Sequence, residues 1–329
     1  MIRSGERHYS EMIGPEDAPT RERMKIFRQC LNYNGDRMAR DVCILADAII
    51  ASTESKQITL VSIARAGTPI GVLLLRRIRD QYPNVLVSHY SISIIRDWGI
   101  DQEALCQIIE KHPLSSIRFI DGWTGKGTIA DELENSLISH QYDIKKYNLG
   151  LWTPLDICGA AQFAASSSDY IIPSSLLGGT ISGLISRSVL LEENRGKNSL
   201  HGCVSLNHLK KYDITRWFIE NISDRMSSIL SSAHTPCNAS GGSARREEAI
   251  DSINQLMIQF DQSDRNRIKT GIGETIRVLL RRKPRKIILN ERLNQIDSQI
   301  ISDLANMRGV DIVQSNRIKF DAVAVISDQ

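Results

Sequence analysis

Two short stretches carry residue types suited to holding an anion. The first, Asp121-Gly-Trp-Thr-Gly-Lys-Gly-Thr128, follows the strand formers Ile117, Phe119 and Ile120 and precedes renewed helical spacing. Gly122, Gly125 and Gly127 let backbone N–H groups approach an anion, and Thr124 and Thr128 can supply hydroxyls. A helix opening at Thr128 adds unpaired donors and the positive end of its dipole. Asp121 cannot favour a phosphate beside it, so ribose hydroxyls, metal-bound water or a substrate N–H are its partners. The second stretch, Arg65-Ala-Gly-Thr68, ends another strand-like run, Ile58–Ile63. There Arg65 can grip a diphosphate through paired hydrogen bonds, while Gly67 and Thr68 expose backbone N–H groups.

Spacing separates the phosphate-loop types. A Walker A loop fails twice, because Gly127 follows Lys126 and Ile120 occupies the first glycine position. A dinucleotide fingerprint fails because Gly122-x-x-Gly125-x-Gly127 reverses its order. Strand, acidic residue, then a Thr/Gly loop entering a helix resembles the phosphoribosyl-diphosphate (PRPP) loop of type I phosphoribosyltransferases.

These loops need a sheet. Strand-like runs at Ile58–Ile63, Val85–Ile95 and Ile117–Ile120 alternate with helical spacing at Val72–Asp80, Gln102–Lys111 and beyond Thr128, which predicts βαβ units and a mostly parallel α/β sheet. Two helices are expected between Thr20 and Ala51, broken at Asn32-Tyr-Asn-Gly35, with a short strand at Ile144–Leu149 and a helix from Ile214 to Leu230. The segment Gly5–Glu16 reads as an ordered arm. Ser231–Arg245 has linker composition, so the expected division is 1–230, a linker and connecting helix over 231–263, and a small α/β unit at 264–329. That last unit is read as helix 272–282, strand 286–289, helix 297–307 and strands 311–313 and 322–326.

At 329 residues, 41% apolar and 24% charged, the chain is an ordinary globular sequence long enough for two domains. No apolar run is long enough for a membrane span and no secretory leader is visible, so a cytoplasmic protein with no membrane partner is expected. Six scattered cysteines without C-x-x-C spacing argue against a zinc site or disulfide framework. The net charge of +3 is uneven: residues 264–329 hold thirteen Lys/Arg against eight Asp/Glu. Nothing in the pattern chooses between a monomer and a homo-oligomer.

Several long motifs then appear in one order: Arg7–Met12, Val61–Gly71, His89–Asp97 with Gly99–Asp101, Phe119–Thr128, Asp169–Ser174, Thr180–Arg187 and His201-Gly202. Over about residues 6–225 they resemble the bacterial family of predicted phosphoribosyltransferases also termed the "cysteine protease StiP" domain. The tail from Gly271 is similar to the pelota-type RNA-binding domain that accompanies it. The resemblance implies a sheet of the type I phosphoribosyltransferase kind and PRPP-dependent transfer to an acceptor, giving a nucleoside-like metabolite in a tellurite-resistance or stress-response setting. Asp121, Thr124, Gly125, Lys126, Gly127 and Thr128 would take the 5-phosphate and ribose, and Arg65, Ala66 and Gly67 the diphosphate. Arg96 and Asp97 would flank the site, and Mg²⁺ would accompany PRPP. Gly122 stands where such enzymes carry a second acidic residue, and Gly273 where related RNA binders carry Asn.

Two other functions compete. The protease label requires a thiol and a base, for which Cys158 or Cys203 with His201 are the candidates. A catalytically inactive RNA-binding protein would use the basic run Arg277, Arg281, Arg282, Lys283, Arg285 and Lys286 on a phosphate backbone. Phe320 is the one aromatic after Phe260, which argues against base stacking.

Overall fold

A computed structural model describes residues 16–190, 199–229, 242–281 and 283–326. The Arg7–Met12 motif, most of the expected linker, Cys237 and Arg282 lie outside the described residues. The first half is a parallel sheet clothed by helices on both faces, as the alternating sequence predicts at the level of an α/β class. In chain order it comprises α1 (Arg21–Ala51), β1 (Gln57–Ile63), α2 (Gly67–Gln81), β2 (Leu86–Ile92), the short pair β3 (Ile94–Ile95) and β4 (Gly99–Ile100), and α3 (Gln102–Ile109). There follow β5 (Ile117–Ile120), α4 (Thr128–Ser139), α5 (Ile144–Tyr147), β6 (Leu151–Leu155), β7 (Phe163–Ser166) and α6 (Thr215–Ser227).

The strand order is β2-β1-β5-β6-β7, and each neighbouring pair is parallel. Strand β1 has apolar residues of both parities, so it buries both faces. Ile58 and Leu60 join the core under α1, α2 and α6, whereas Val61 and Ile63 join the core under α3 and α4. The order reverses between β1 and β5, so the loops leaving their carboxyl ends diverge to opposite faces and leave a crevice. Arg65 and Asp121 stand there.

Two local expectations are corrected. Helix α1 runs unbroken through Asn32–Gly35. The Asn34 side chain donates to the Ile171 carbonyl at 3.2 Å instead of turning its own backbone, and the bare face of Gly35 admits the Arg225 guanidinium of α6. Tertiary contact thereby outweighs the roughly 1 kcal/mol that glycine costs a helix. Residues 144–149 contain one helical turn capped by Asp143 rather than a strand, and the strand comes later, at β6.

The remainder comprises α7 (Gly242–Gln259), β8 (Ile268–Thr270), α8 (Ile272–Arg281), β9 (Lys286–Leu289), α9 (Gln295–Arg308), β10 (Ile312–Gln314) and β11 (Ala322–Val325). Its sheet has the order β10-β9-β11-β8, with β11 antiparallel to both neighbours. Strand β8 is too short and polar to show in the residue pattern. The apolar face of α8 packs where the 3-10 turn Pro173–Leu176 also packs, so Ile272 and Ile276 share one core with Ile172 and Leu176. Among the described residues, no helix is long and apolar enough to cross a membrane.

Candidate functional site

The loops after β1 and β5 touch. A Cβ built on Gly67 would overlap the Ile120 carbonyl oxygen, and one on Gly122 would lie 3.0 Å from the Ala66 carbonyl oxygen. These glycines therefore let two backbones pass at contact distance. Beside them opens a cavity of about 410 Å³, lined by Arg65, Ala66, Arg96, Asp121, Thr124, Gly125, Lys126, Gly127 and Thr128. Of the residues read as a site, Gly67, Thr68, Gly122 and Asp97 do not line it. Thr68 faces Ser91 at 3.0 Å, and Asp97, at φ +69°, is an exposed residue beside Arg96.

The other wall comes from sequence 140 residues and more away. Asn266, Lys269, Thr270, Glu274 and Arg277 complete the cavity, and Trp123 lies between the walls. Thr270 Oγ1 donates to the Gly125 carbonyl at 3.0 Å and Lys126 Nζ to the Arg265 carbonyl at 3.0 Å. Arg96 Nη1 donates to Asn266 Oδ1 at 3.1 Å. Of the basic run read as an RNA face, Arg277 turns inward: its guanidinium lies 5.3 Å from the Trp123 ring centre and pairs with Glu274. Residue pattern alone could not find this wall, because its members are unremarkable on a small α/β unit until that unit docks.

Electrostatics follow from burial. Burial pushes the Asp121 carboxyl up to about 7, against the Gly122 N–H bond and the charge of Arg277. Burial and the nearby Lys269 and Arg265 charges push the Lys126 ammonium down to about 7. Glu16 shows the opposite balance. Burial opposes its ionisation, but the hydrogen bond and charge of Arg65 prevail and hold it below the usual carboxylate range. The two carboxyl groups in the cavity do not make a Mg²⁺ site by themselves, since burial raises Asp121 to about 7 and Glu274 is committed to Arg277.

The two thiol candidates differ sharply. Cys158 is fully buried, and burial, reinforced by Asp156, pushes its thiol up to about 12 despite Arg246 Nη1 at 3.6 Å. Cys203 is exposed. It follows Gly202, whose N–H and C=O both bond Val189 at 2.8 Å, and Ile185 forms a separate isolated bridge with Ser205. The His201 backbone N–H donates to Asp101 Oδ2 at 2.7 Å, and its ring Nδ1 lies 2.8 Å from Ser93 Oγ. Asp101 is buried and also caps α3 through the Ala104 N–H. Burial lowers the imidazole below its ordinary value, with the Asp101 charge acting against it. Ser93 and Asp101 carry no spacing signal toward His201, a hundred residues later in the chain.

A family model described as "Tellurite-like stress resistance cysteine protease StiP" matches residues 1–223, and a PELOTA RNA binding domain model matches residues 247–328. A protein named "Cysteine protease StiP" from Acinetobacter baylyi (strain ATCC 33305 / BD413 / ADP1) is 38% identical over 315 residues, covering 93% of this chain and 81% of that protein. These matches overturn the expectation of a PRPP-dependent phosphoribosyltransferase in nucleotide metabolism, because both names attach the family to thiol-dependent hydrolysis of peptide bonds. The tellurite-stress setting agrees with those names. With 38% identity across nearly its whole length and a family model spanning residues 1–223, the chain belongs to the StiP family and carries a pelota-type segment at its carboxyl end.

Proposed function

We propose that this protein is a cysteine protease in which Cys203 is the nucleophile and His201 its base. The carrying observation is the exposed Cys203 two residues beyond an imidazole whose Nδ1 is held by Ser93. Ser93 Oγ donates its proton to Ser188 Oγ at 2.6 Å, so toward His201 it can only accept. Nδ1 is then the protonated nitrogen, and Nε2 keeps the lone pair that takes the thiol proton. Asp101 fixes the backbone from which the ring projects. The depressed imidazole is neutral at pH 7, as a base must be.

In the reaction the Cys203 sulfur forms a bond to the scissile carbonyl carbon as the C–N bond breaks. His201 returns its proton to the departing amine, and water then cleaves the thioester to a carboxylic acid and the free thiol. Cys158 is set aside because its buried thiol stays protonated. The scaffold is read as a sheet of the phosphoribosyltransferase kind serving hydrolysis, supported by the two contacting loops at the strand-order reversal. The pelota match supports a further reading in which residues 264–329 contact an RNA backbone through the exposed Lys283 and Arg285.

Cleavage of a denatured protein substrate and labelling by a thiol-directed epoxide test the assignment together. Cys203→Ser should lose about a thousandfold or more in turnover and all labelling, whereas Cys158→Ser keeps both. Undiminished hydrolysis by the folded Cys203→Ser protein would refute it.

A further inference from the structure

We propose that Glu16 and Arg65 are positioning residues for peptide hydrolysis, bracing the segment that carries Cys203. This inference rests on the protease reading and adds to it a pair that acts through the backbone beside the thiol.

The nucleophile and its base lie on one short segment, yet different parts of the chain hold them. Ser93 and Asp101 fix His201. Beyond Cys203, the Val204 carbonyl accepts the Ser186 N–H at 2.8 Å, and the Leu206 N–H donates to the Leu184 carbonyl at 2.7 Å. The Val204 N–H adds a bond to Ser186 Oγ at 2.9 Å. Residues 184–186 are therefore the support beside Cys203, and Arg65 Nη1 holds their midpoint by donating to the Ile185 carbonyl at 2.7 Å. The other arm of that guanidinium, Nη2, pairs with Glu16 Oε1. Glu16 Oε2 accepts the Gly179 N–H at 3.2 Å, and the Gly179 carbonyl in turn accepts the Leu184 N–H at 2.9 Å. Past the thiol, on the 3-10 turn Asn207–Tyr212, the His208 ring Nε2–H donates to the Glu16 carbonyl at 3.0 Å. Glu16 alone thus joins Arg65, Gly179 and His208 around the Cys203 segment.

Both side chains are largely shielded, with 15% of Arg65 and 27% of Glu16 exposed. A shielded ion pair adds little net stability, because desolvation offsets the attraction, but its directed hydrogen bonds select one arrangement. Gly178 and Gly179 make room for the carboxylate: a Cβ on them would lie 3.0 and 3.3 Å from Glu16 Oε2. Burial opposes the ionisation of Glu16 but Arg65 prevails, so the charge persists at neutral pH. Attack by sulfur demands placement, and a misplacement of about 1 Å costs about a hundredfold in rate. Loss of the brace therefore falls on the chemical step.

Steady-state hydrolysis of a dye-labelled denatured protein by the full chain tests this in Glu16→Gln, Arg65→Lys and Cys203→Ser. In the first two, kcat should fall about tenfold or more while KM stays within about twofold of wild type. The acid limb of kcat/KM should not move, because Ser93 and Asp101 still hold the base. Thermal midpoints check that each variant folds, and Glu16→Gln, which keeps the side chain's shape, carries the test if Arg65→Lys does not fold. With Cys203→Ser inactive, an unchanged kcat in folded Glu16→Gln, or a raised KM at unchanged kcat, overturns the positioning role alone. Full hydrolysis by Cys203→Ser overturns the protease reading and this inference with it.

Discussion

Replacing Asp169 with Asn should stabilise the protein by an amount that grows with pH. Asp169 Oδ2 accepts the Ile272 N–H at 2.8 Å, so one carboxyl of the parallel-sheet half holds the head of α8. Burial pushes this carboxyl from 3.8 up to about 7, against the hydrogen bond from Ile272, with Asp321 and Asp297 adding repulsion. Between those values the folded chain keeps a proton that the unfolded chain has released. Stability from this group is therefore present in acid and lost as pH rises toward 7. Integrating the two titrations gives a loss of roughly 2–3 kcal/mol between pH 5 and pH 8. Asn keeps the acceptor for Ile272 but does not titrate. Relative to wild type, Asp169→Asn should therefore gain that roughly 2–3 kcal/mol over the same interval, about 3–4 °C in thermal midpoint for a chain of this length. Urea unfolding of both proteins at pH 5 and pH 8 measures it. A difference that does not change with pH, or that shrinks as pH rises, would refute the assignment of a half-buried, proton-holding Asp169.

Other consequences are equally direct. Gly67→Ala places a methyl on the Ile120 carbonyl, and should lower stability by about 1–3 kcal/mol in chemical denaturation while separating the two loops. Tyr170→Phe removes the phenol donor that reaches Asp41 Oδ2 at 2.7 Å and leaves a buried carboxyl short of a partner, so a loss of about 1–3 kcal/mol is expected by the same assay. Because burial holds the His201 imidazole below 6.5, the acid limb of kcat/KM for peptide hydrolysis should fall below pH 6.5. Ser93→Ala, which frees the ring tautomer, should lower kcat at unchanged stability.

Much of the architecture is legible because periodicity is a local property. The two-sided apolar pattern of β1 requires cover on both faces, and the glycines after β1 and β5 sit where backbones must pass closely. The pattern misled at Asn32–Gly35, where local turn chemistry is real but distant partners at Ile171 and Arg225 take it up. It was silent on β8, whose residues pair only because β11 lies alongside them.

Residue order by itself determined the alternation of strand and helix, the glycine-bearing loops and the family to which the chain belongs, since each is written in neighbouring residues. Tertiary structure alone decided the rest. Cys158 and Cys203 read alike on paper, yet α7 and the second sheet bury one, and a segment bridged at Gly202 and Ser205 leaves the other in solvent. Likewise Arg277 belongs to a basic run in one dimension and to the wall of the cavity beside the two loops in three. Burial and charge crowding depend on which segments meet, and those segments, such as Trp123 with Arg277, can lie more than a hundred residues apart in the chain.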